Sequence, residues 1–321
     1  MLEKIKRNIF ITMALAAAIY LLFSIYTDID KIRDAFSVFN WMIIPVLLLL
    51  IFANYFIRFV KWHYYLKTID IKLAARNSFL VFMSGLIMSV TPGKMGELLK
   101  SYLVKQVTGE PIAKTAPVIF AERITDFIAL VLLAILGAWT FDYGRIIVIG
   151  TGVFFLVVIL IISSRKITES IIGRMSKIEA LRKYTEKMLT AYESTYVLLR
   201  PRPLLYMSAV SIVSWSFECL AYYLIVINFQ TDVTYFFASF IYAFSTIAGA
   251  VSMLPGGLGV TDGSMTYLLV HYGIKSNIAV SATFVARIVT LWFAVIIGIV
   301  SISVYQKWFG VLQEYDKSET V

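Results

Sequence analysis

The chain has a single cysteine, Cys219, in 321 residues, which excludes an internal disulfide framework and a thiolate zinc site. Two histidines, His63 and His271, argue against a dedicated histidine metal cluster. Charge is scarce as well. Only 15% of the residues are charged and 60% are hydrophobic, against roughly 25% and about 45–50% in soluble globular domains, so the chain reads as a membrane protein. No G-x-x-x-x-G-K-[ST] is present, and with it goes the expectation of an ATPase site. The net charge of +9 is not accompanied by a basic run interleaved with aromatics, so nucleic acid is not an expected partner. In a polytopic protein basic residues first report orientation. No segment has the size or polarity of a soluble catalytic domain. The expectation is therefore no enzyme, no cofactor and no metal.

What the chain has in quantity is apolar length. A hydrocarbon core of about 30 Å takes about 20 residues per helical span, and residues 9–26, 41–59, 115–141, 146–163, 204–227 and 277–305 answer to that. The opening MLEKIKR and the run behind it lack a small-x-small cleavage site, so 9–26 reads as a retained span. The second span runs into a basic flank with Arg58, Lys61, Lys67, Lys72 and Arg76, which places that flank and the N-terminus on the cytoplasmic side. Residues 164–203 hold nine Lys or Arg against four Glu. Within them Ile171, Met175, Ile178, Leu181, Met188, Tyr192, Tyr196 and Leu199 recur at helical spacing, the pattern of a cytoplasmic amphipathic helix on the membrane surface, or of a plain connector. The resulting expectation is a multi-pass protein of the plasma membrane with both termini cytoplasmic.

Two further apolar stretches, 78–106 and 234–273, are interrupted at their centres, the first by Pro92, Gly93 and Gly96 and the second by Pro255, Gly256, Gly257 and Gly259. The interruptions read SVTPGKMG at 89–96 and SMLPGGLG at 252–259, so S-x-x-P-G-x-x-G occurs twice, 163 residues apart. An Arg-Ile pair recurs downstream at nearly the same offset, AERIT at 121–125 and VARIV at 285–289. The fold expected is an all-α polytopic membrane protein of about six full spans plus two broken, re-entrant helical hairpins in an inverted repeat. Residues 1–321 form one transmembrane domain, with a first repeat at 40–141, a linking span and amphipathic segment at 142–203, and a second repeat at 204–305. The glycine-rich tips would meet near the midplane, where non-helical backbone is tolerated only if it is buried in protein or lines a wet cavity.

Such half-helix ends expose unpaired N–H groups and the positive end of the helix dipole, and they bind anions. They can also simply be capped, by Glu97 in the first case and by Thr261 or Asp262 in the second. Charges inside spans are costly and face a partner or a wet cavity. Arg123 adjoins Glu122 and Asp126, and an ion-pair network with Lys94 or Glu97 would satisfy all of them. Arg287 has no carboxylate in its own helix turn and needs Glu218, Asp262 or a ligand phosphate. Glu218, isolated in the fifth span, is either the partner of Arg287 or a proton or headgroup-amine site. Lys94 and Lys100 could attract anionic headgroups, although Lys100 can also snorkel to the interface. Asn54 reads as an interhelical hydrogen bond. The candidate binding set is thus Lys94, Gly96, Glu97, Glu122, Arg123, Asp126, Glu218, Gly257, Gly259, Asp262 and Arg287.

The strings TPGKMGELLKSYLV, AERITDFIAL and LPGGLGVTDG together resemble the membrane region of the lysylphosphatidylglycerol synthase/flippase family. The resemblance runs from about residue 40 to 305 and implies motif positions at Gly96, Glu97, Glu122, Arg123, Asp126, Pro255, Gly256, Gly257, Gly259 and Asp262. It implies a lipid-moving role, with an anionic or aminoacylated phospholipid or a lipid-linked headgroup passing between leaflets. Two features depart from the pattern: only sixteen residues follow position 305, too few for the soluble synthase domain, and Asp262 stands where many relatives have Glu. The partners expected are a lipid substrate and the bilayer, with a homo-oligomer left open. Two other readings compete, an accessory subunit of a lipid-modifying system and a polyprenyl-phosphate-dependent glycosyltransferase, the latter motivated by Asp28 and Asp30 in the first outer loop.

Overall fold

A computed structural model describes residues 29–91, 97–138, 150, 153 and 185–310. Among these every regular element is helical. Helix α1 (Ile29–Val38) leads through a 3-10 turn (Trp41–Ile43) into α2 (Ile44–Thr68). Met42 N donates to Asn40 Oδ1 at 3.1 Å, and Pro45 occupies the first turn of α2, where its missing N–H would have had no helical acceptor. Helix α3 (Ala75–Gly85) tightens into a 3-10 turn (Leu86–Val90), and α4 (Leu99–Thr108) follows the break. Gly109, at φ +77°, ends α4 in the left-handed region, with its N–H donating to Lys105 O. Then come α5 (Ile112–Ala138), α6 (Thr185–Leu198), α7 (Pro201–Asn228) and α8 (Tyr235–Val251), the last capped by Thr234, which accepts from Phe237 N at 3.3 Å. A turn (Pro255–Gly257), α9 (Val260–His271), α10 (Ser276–Arg287), a π-helical segment (Ile288–Trp292) and α11 (Phe293–Phe309) complete the order.

Three helices are long and apolar enough to cross a membrane by length and composition: Trp41–Thr68, Pro201–Asn228 and Ser276–Phe309. At 1.5 Å per residue each is about 40–50 Å long, more than the roughly 30 Å of hydrocarbon. These are three of the six spans expected. The spans expected at 9–26 and 146–163 lie outside the described residues. Helix α5, expected as the third span, is 27 residues long, but Glu122, Arg123 and Asp126 stand together in it and its apolar run is interrupted. Of the amphipathic segment expected at 164–203, residues 164–184 also lie outside the description. Its later part forms α6, which packs along α5 with Tyr192 and Leu198 buried.

Both interrupted stretches are helix, break and helix. In the first, α3 and its 3-10 turn end at Thr91, whose backbone is extended, and α4 packs back on α3. In the second, Met253, Gly256, Gly257 and Gly259 all take positive φ between +56° and +81°, so four left-handed residues within seven turn α8 back into α9. A Cβ at Gly257 would lie 2.5 Å from Thr261 Oγ1 and 3.2 Å from Gly249 Cα, which leaves no space for a larger residue. The tightened end of α3 touches the second break: Leu86–Val90 packs against Pro255–Gly257.

Around this contact α2 lies along α7, α5 along α8, and α11 along α3. Trp62, Tyr65, Phe82, Phe237 and Phe240 fill the interior, while Leu49, Phe56, Leu205, Ile296 and Val300 stand exposed on the outer faces of the long helices. An apolar exterior around a charged interior is the arrangement expected in a hydrocarbon solvent.

Candidate functional site

The charges of α2, α4 and α5 meet on facing helix surfaces. Lys61 lies inside α2, and its Nζ approaches Asp126 Oδ1 at 2.5 Å and donates to Ser211 Oγ on α7 at 2.7 Å. Ser211 donates in turn to the same carboxylate oxygen at 3.1 Å. Lys100 of α4 pairs with Glu122 Oε2 at 2.6 Å, and its ammonium sits 4.7 Å from the ring centre of Trp62 and 5.1 Å from that of Phe82. Arg123 Nη2 lies 3.0 Å from Glu97 Oε2 and 3.6 Å from Asp126 Oδ2. Glu122 is completely buried and Lys61 is 1% exposed. Charges so deep are sustained only by paired partners of this kind.

Two sequence expectations are corrected here. Arg58 and Lys61 do not belong to a cytoplasmic flank: both are buried in α2, turned toward Asp126. They stand at the end of an apolar run, where a flank would begin, and the carboxylate that draws them inward is more than sixty residues away. Lys67, Lys72 and Arg76 remain exposed, as a flank requires. Lys100 does not snorkel either, because Glu122 and the two aromatic rings hold it 3% exposed.

On the other side, Arg287 at the end of α10 settles between two acceptors of the second break. Its Nε lies 3.1 Å from Asp262 Oδ1, and its Nη2 donates to Gly256 O at 2.5 Å. Asp262 Oδ2 also accepts from Gly259 N at 2.9 Å, capping α9. Of the two carboxylates considered for Arg287 the structure selects Asp262. Glu218 lies apart from that pair, buried in α7, and accepts from Tyr242 OH. Asn54 makes the interhelical hydrogen bond expected of it: its Nδ2 donates to Ser214 O at 2.9 Å and to Ser214 Oγ at 2.8 Å.

These groups surround a cavity of about 630 Å³. Arg123, Asp126, Glu218, Gly257 and Arg287 line it from the candidate set, and Tyr55, Arg58, Ser89, Trp215 and Tyr242 join them. Glu97, Glu122, Gly259 and Asp262 stand behind this wall and hold the lining cations or the break in place. Lys94 and Gly96 lie outside the described residues. Tyr55, Arg58, Trp215 and Tyr242 were not singled out from sequence. A tyrosine or tryptophan in a membrane helix carries no local signal that separates a cavity wall from packing. The break between α8 and α9 forms one side of the cavity and the π-helical segment, through Thr290, another, with Tyr55 OH donating to Thr290 O at 2.8 Å. A π turn widens the helix locally and is often found at functional sites. The described residues contain no group of three or more His, Cys, Asp or Glu placed to hold a metal ion.

The chain is similar in sequence to known membrane proteins. Residues 9–298 match the family model described as the lysylphosphatidylglycerol synthase TM region. Among similar curated proteins are a UPF0104 membrane protein of Methanothermobacter thermautotrophicus, 26% identical over 298 residues that cover 85% of this chain and 87% of the relative, and one of Methanocaldococcus jannaschii, 26% identical over 69% of this chain and 94% of the relative. A third, from Pyrococcus horikoshii, is 25% identical over 74% of this chain and 80% of its own length.

Proposed function

The chain belongs to the lysylphosphatidylglycerol synthase TM region family, and from that premise we propose that it is a lipid transporter. It moves the phosphate-bearing headgroup of an anionic or aminoacylated phospholipid, or of a lipid-linked substrate, between leaflets, and it does no chemistry on it. The observation that carries this reading is the cavity between the second helix break and the tightened end of α3, with charged side chains on its wall and apolar helix faces outside it. A headgroup would occupy the charged space while its acyl chains stay against the apolar exterior.

The packing supports an inverted repeat as the basis of that transport. If residues 40–141 and 204–305 are related by a two-fold axis in the membrane plane, α2 corresponds to α7, α3 to α8, and α5 to α10 with α11. Each pairing should then have a counterpart. Helix α5 on α8 answers to α11 on α3, and α2 against α7 is a contact of an element with its own equivalent. Inverted repeats with broken helices at their interface are the arrangement in which alternating access exposes one central site to each side in turn. In this reading the exposed Lys67, Lys72 and Arg76 mark the cytoplasmic face, both termini are cytoplasmic, and the membrane is the plasma membrane.

The test is reconstitution of the purified chain into vesicles carrying fluorescent phospholipids in one leaflet, followed by chemical quenching from outside. Protein-dependent exchange of the label without chemical change of the lipid is expected. Chemical conversion would favour a lipid-modifying enzyme, and an inert protein would favour an accessory subunit; either result overturns the transporter.

A further inference from the structure

Three arginines line the cavity, and Arg58 stands farthest from a carboxylate, at 3.7 Å against 3.0 Å for Arg123 and 3.1 Å for Arg287; a buried Nε without a hydrogen-bond partner among the described residues is common to all three. Arg287 is held by Asp262 and by the Gly256 carbonyl, and Arg123 by Glu97 at 3.0 Å. Arg58 is held less closely. Its nearest carboxylate oxygen is Asp126 Oδ2 at 3.7 Å, beyond hydrogen-bonding distance, and the other oxygen of that carboxylate already serves Lys61 and Ser211. Its Nε is buried without a hydrogen-bond partner among the described residues, and the guanidinium carbon lies 5.8 Å from the ring centre of Trp215. The residue is 7% exposed. A buried guanidinium N–H without an acceptor is costly, because it has lost water and gained nothing in exchange.

The surrounding charge narrows what can satisfy it. Arg58, Lys61, Lys100, Arg123 and Arg287 face Glu97, Glu122, Asp126, Glu218 and Asp262, five cations against five carboxylates. Among the described residues the cluster is formally neutral when empty. Every negative charge on a ligand is therefore added to a balanced cluster, which favours a ligand with one charge over a ligand with two.

We propose that Arg58 is the oxyanion contact of the cavity, taking the two non-bridging oxygens of a singly charged phosphodiester through its planar fork. This deepens the transport reading and rests on it for the source of the ligand, a lipid headgroup; free phosphate offers the same oxygens and is separated from it in the test. The fork accounts for an arginine at this position. Lysine would supply the charge alone.

The experiment measures binding to the full-length chain in detergent, by calorimetry, of dihexanoyl phosphatidylglycerol, a diester with one negative charge, and of inorganic phosphate. Wild type should bind the diester and bind phosphate at least tenfold more weakly. R58K should weaken the diester about tenfold and R58Q about a hundredfold, with unchanged gel-filtration profiles. If R58Q does not fold, R58K carries the test, since it keeps the charge beside Asp126. Diester binding by R58K equal to wild type overturns the proposal, and phosphate binding as tight as the diester assigns the site to the free ion. The same variants in the vesicle assay separate the two claims. Arg58-dependent binding without lipid exchange leaves the site and removes the transporter; exchange that survives R58Q leaves the transporter and removes the site.

Discussion

Arg287 joins three parts of the second half: it carries α10, neutralises Asp262 and takes the carbonyl of Gly256 in the break. Arg287→Met removes the cation from beside Asp262, which is fully buried, and should cost about 3–5 kcal/mol in thermal unfolding of the detergent-solubilised protein. Adding Asp262→Asn, which still accepts from Gly259 N, should recover most of the loss. Adding Glu218→Gln should recover none, because Glu218 is held by Tyr242; rescue by Glu218→Gln would overturn the pairing. The sequence offered both acids as partners and could not choose between them, since the choice depends on how sharply the chain reverses at Met253–Gly259. The carboxylates Glu97, Glu122 and Asp126 were legible because ionised groups inside apolar helices are expensive enough to demand a partner. Arg58 and Lys61 were illegible for the opposite reason. A basic residue at the end of an apolar run is what a cytoplasmic flank looks like, and only the fold brings Asp126 to them.

Helices meet here at glycines. A Cβ on Gly298 of α11 would collide with the backbone of Ile87 in the tightened end of α3, and one on Gly137 of α5 would collide with Phe236 O and Phe240 of α8. Close backbone approach of this kind is how membrane helices gain packing without a hydrophobic drive between them. Gly298→Val should therefore push α11 off α3 and cost about 1–3 kcal/mol or more. Gly263→Ala in α9, where nothing lies within 4 Å of the new methyl, should stabilise by up to about 1 kcal/mol through helix propensity alone. Equal melting temperatures for Gly298→Val and wild type would show that α3 and α11 are not tightly packed. The interruptions themselves were readable from Pro and Gly, and the long apolar helices from run length. Which helix lies on which was not, because a run that is apolar all round has no face that names its neighbour.

Over the whole molecule, each ion pair described closes within its own half: those of Arg58, Lys61, Lys100, Lys114 and Arg123 use acids between residues 97 and 126, and that of Arg287 uses Asp262. Among the described residues the contacts between the halves are apolar packing and hydrogen bonds, such as Asn54 to Ser214, Tyr55 to Thr290 and Tyr305 to Leu103 O. Two chains, 1–163 and 164–321, expressed together should thus copurify and regain the melting transition of the intact protein; fragments that fail to copurify would show that the halves depend on continuous chain. The same feature bears on biogenesis. Translation delivers residues 58–126 to the bilayer long before residue 211 exists, and a polypeptide holding unmatched cations at that stage would resist partitioning from the translocon. Because those cations bring their own acids, the early half can enter lipid with its charges matched, and the late half arrives with Arg287 already answered by Asp262.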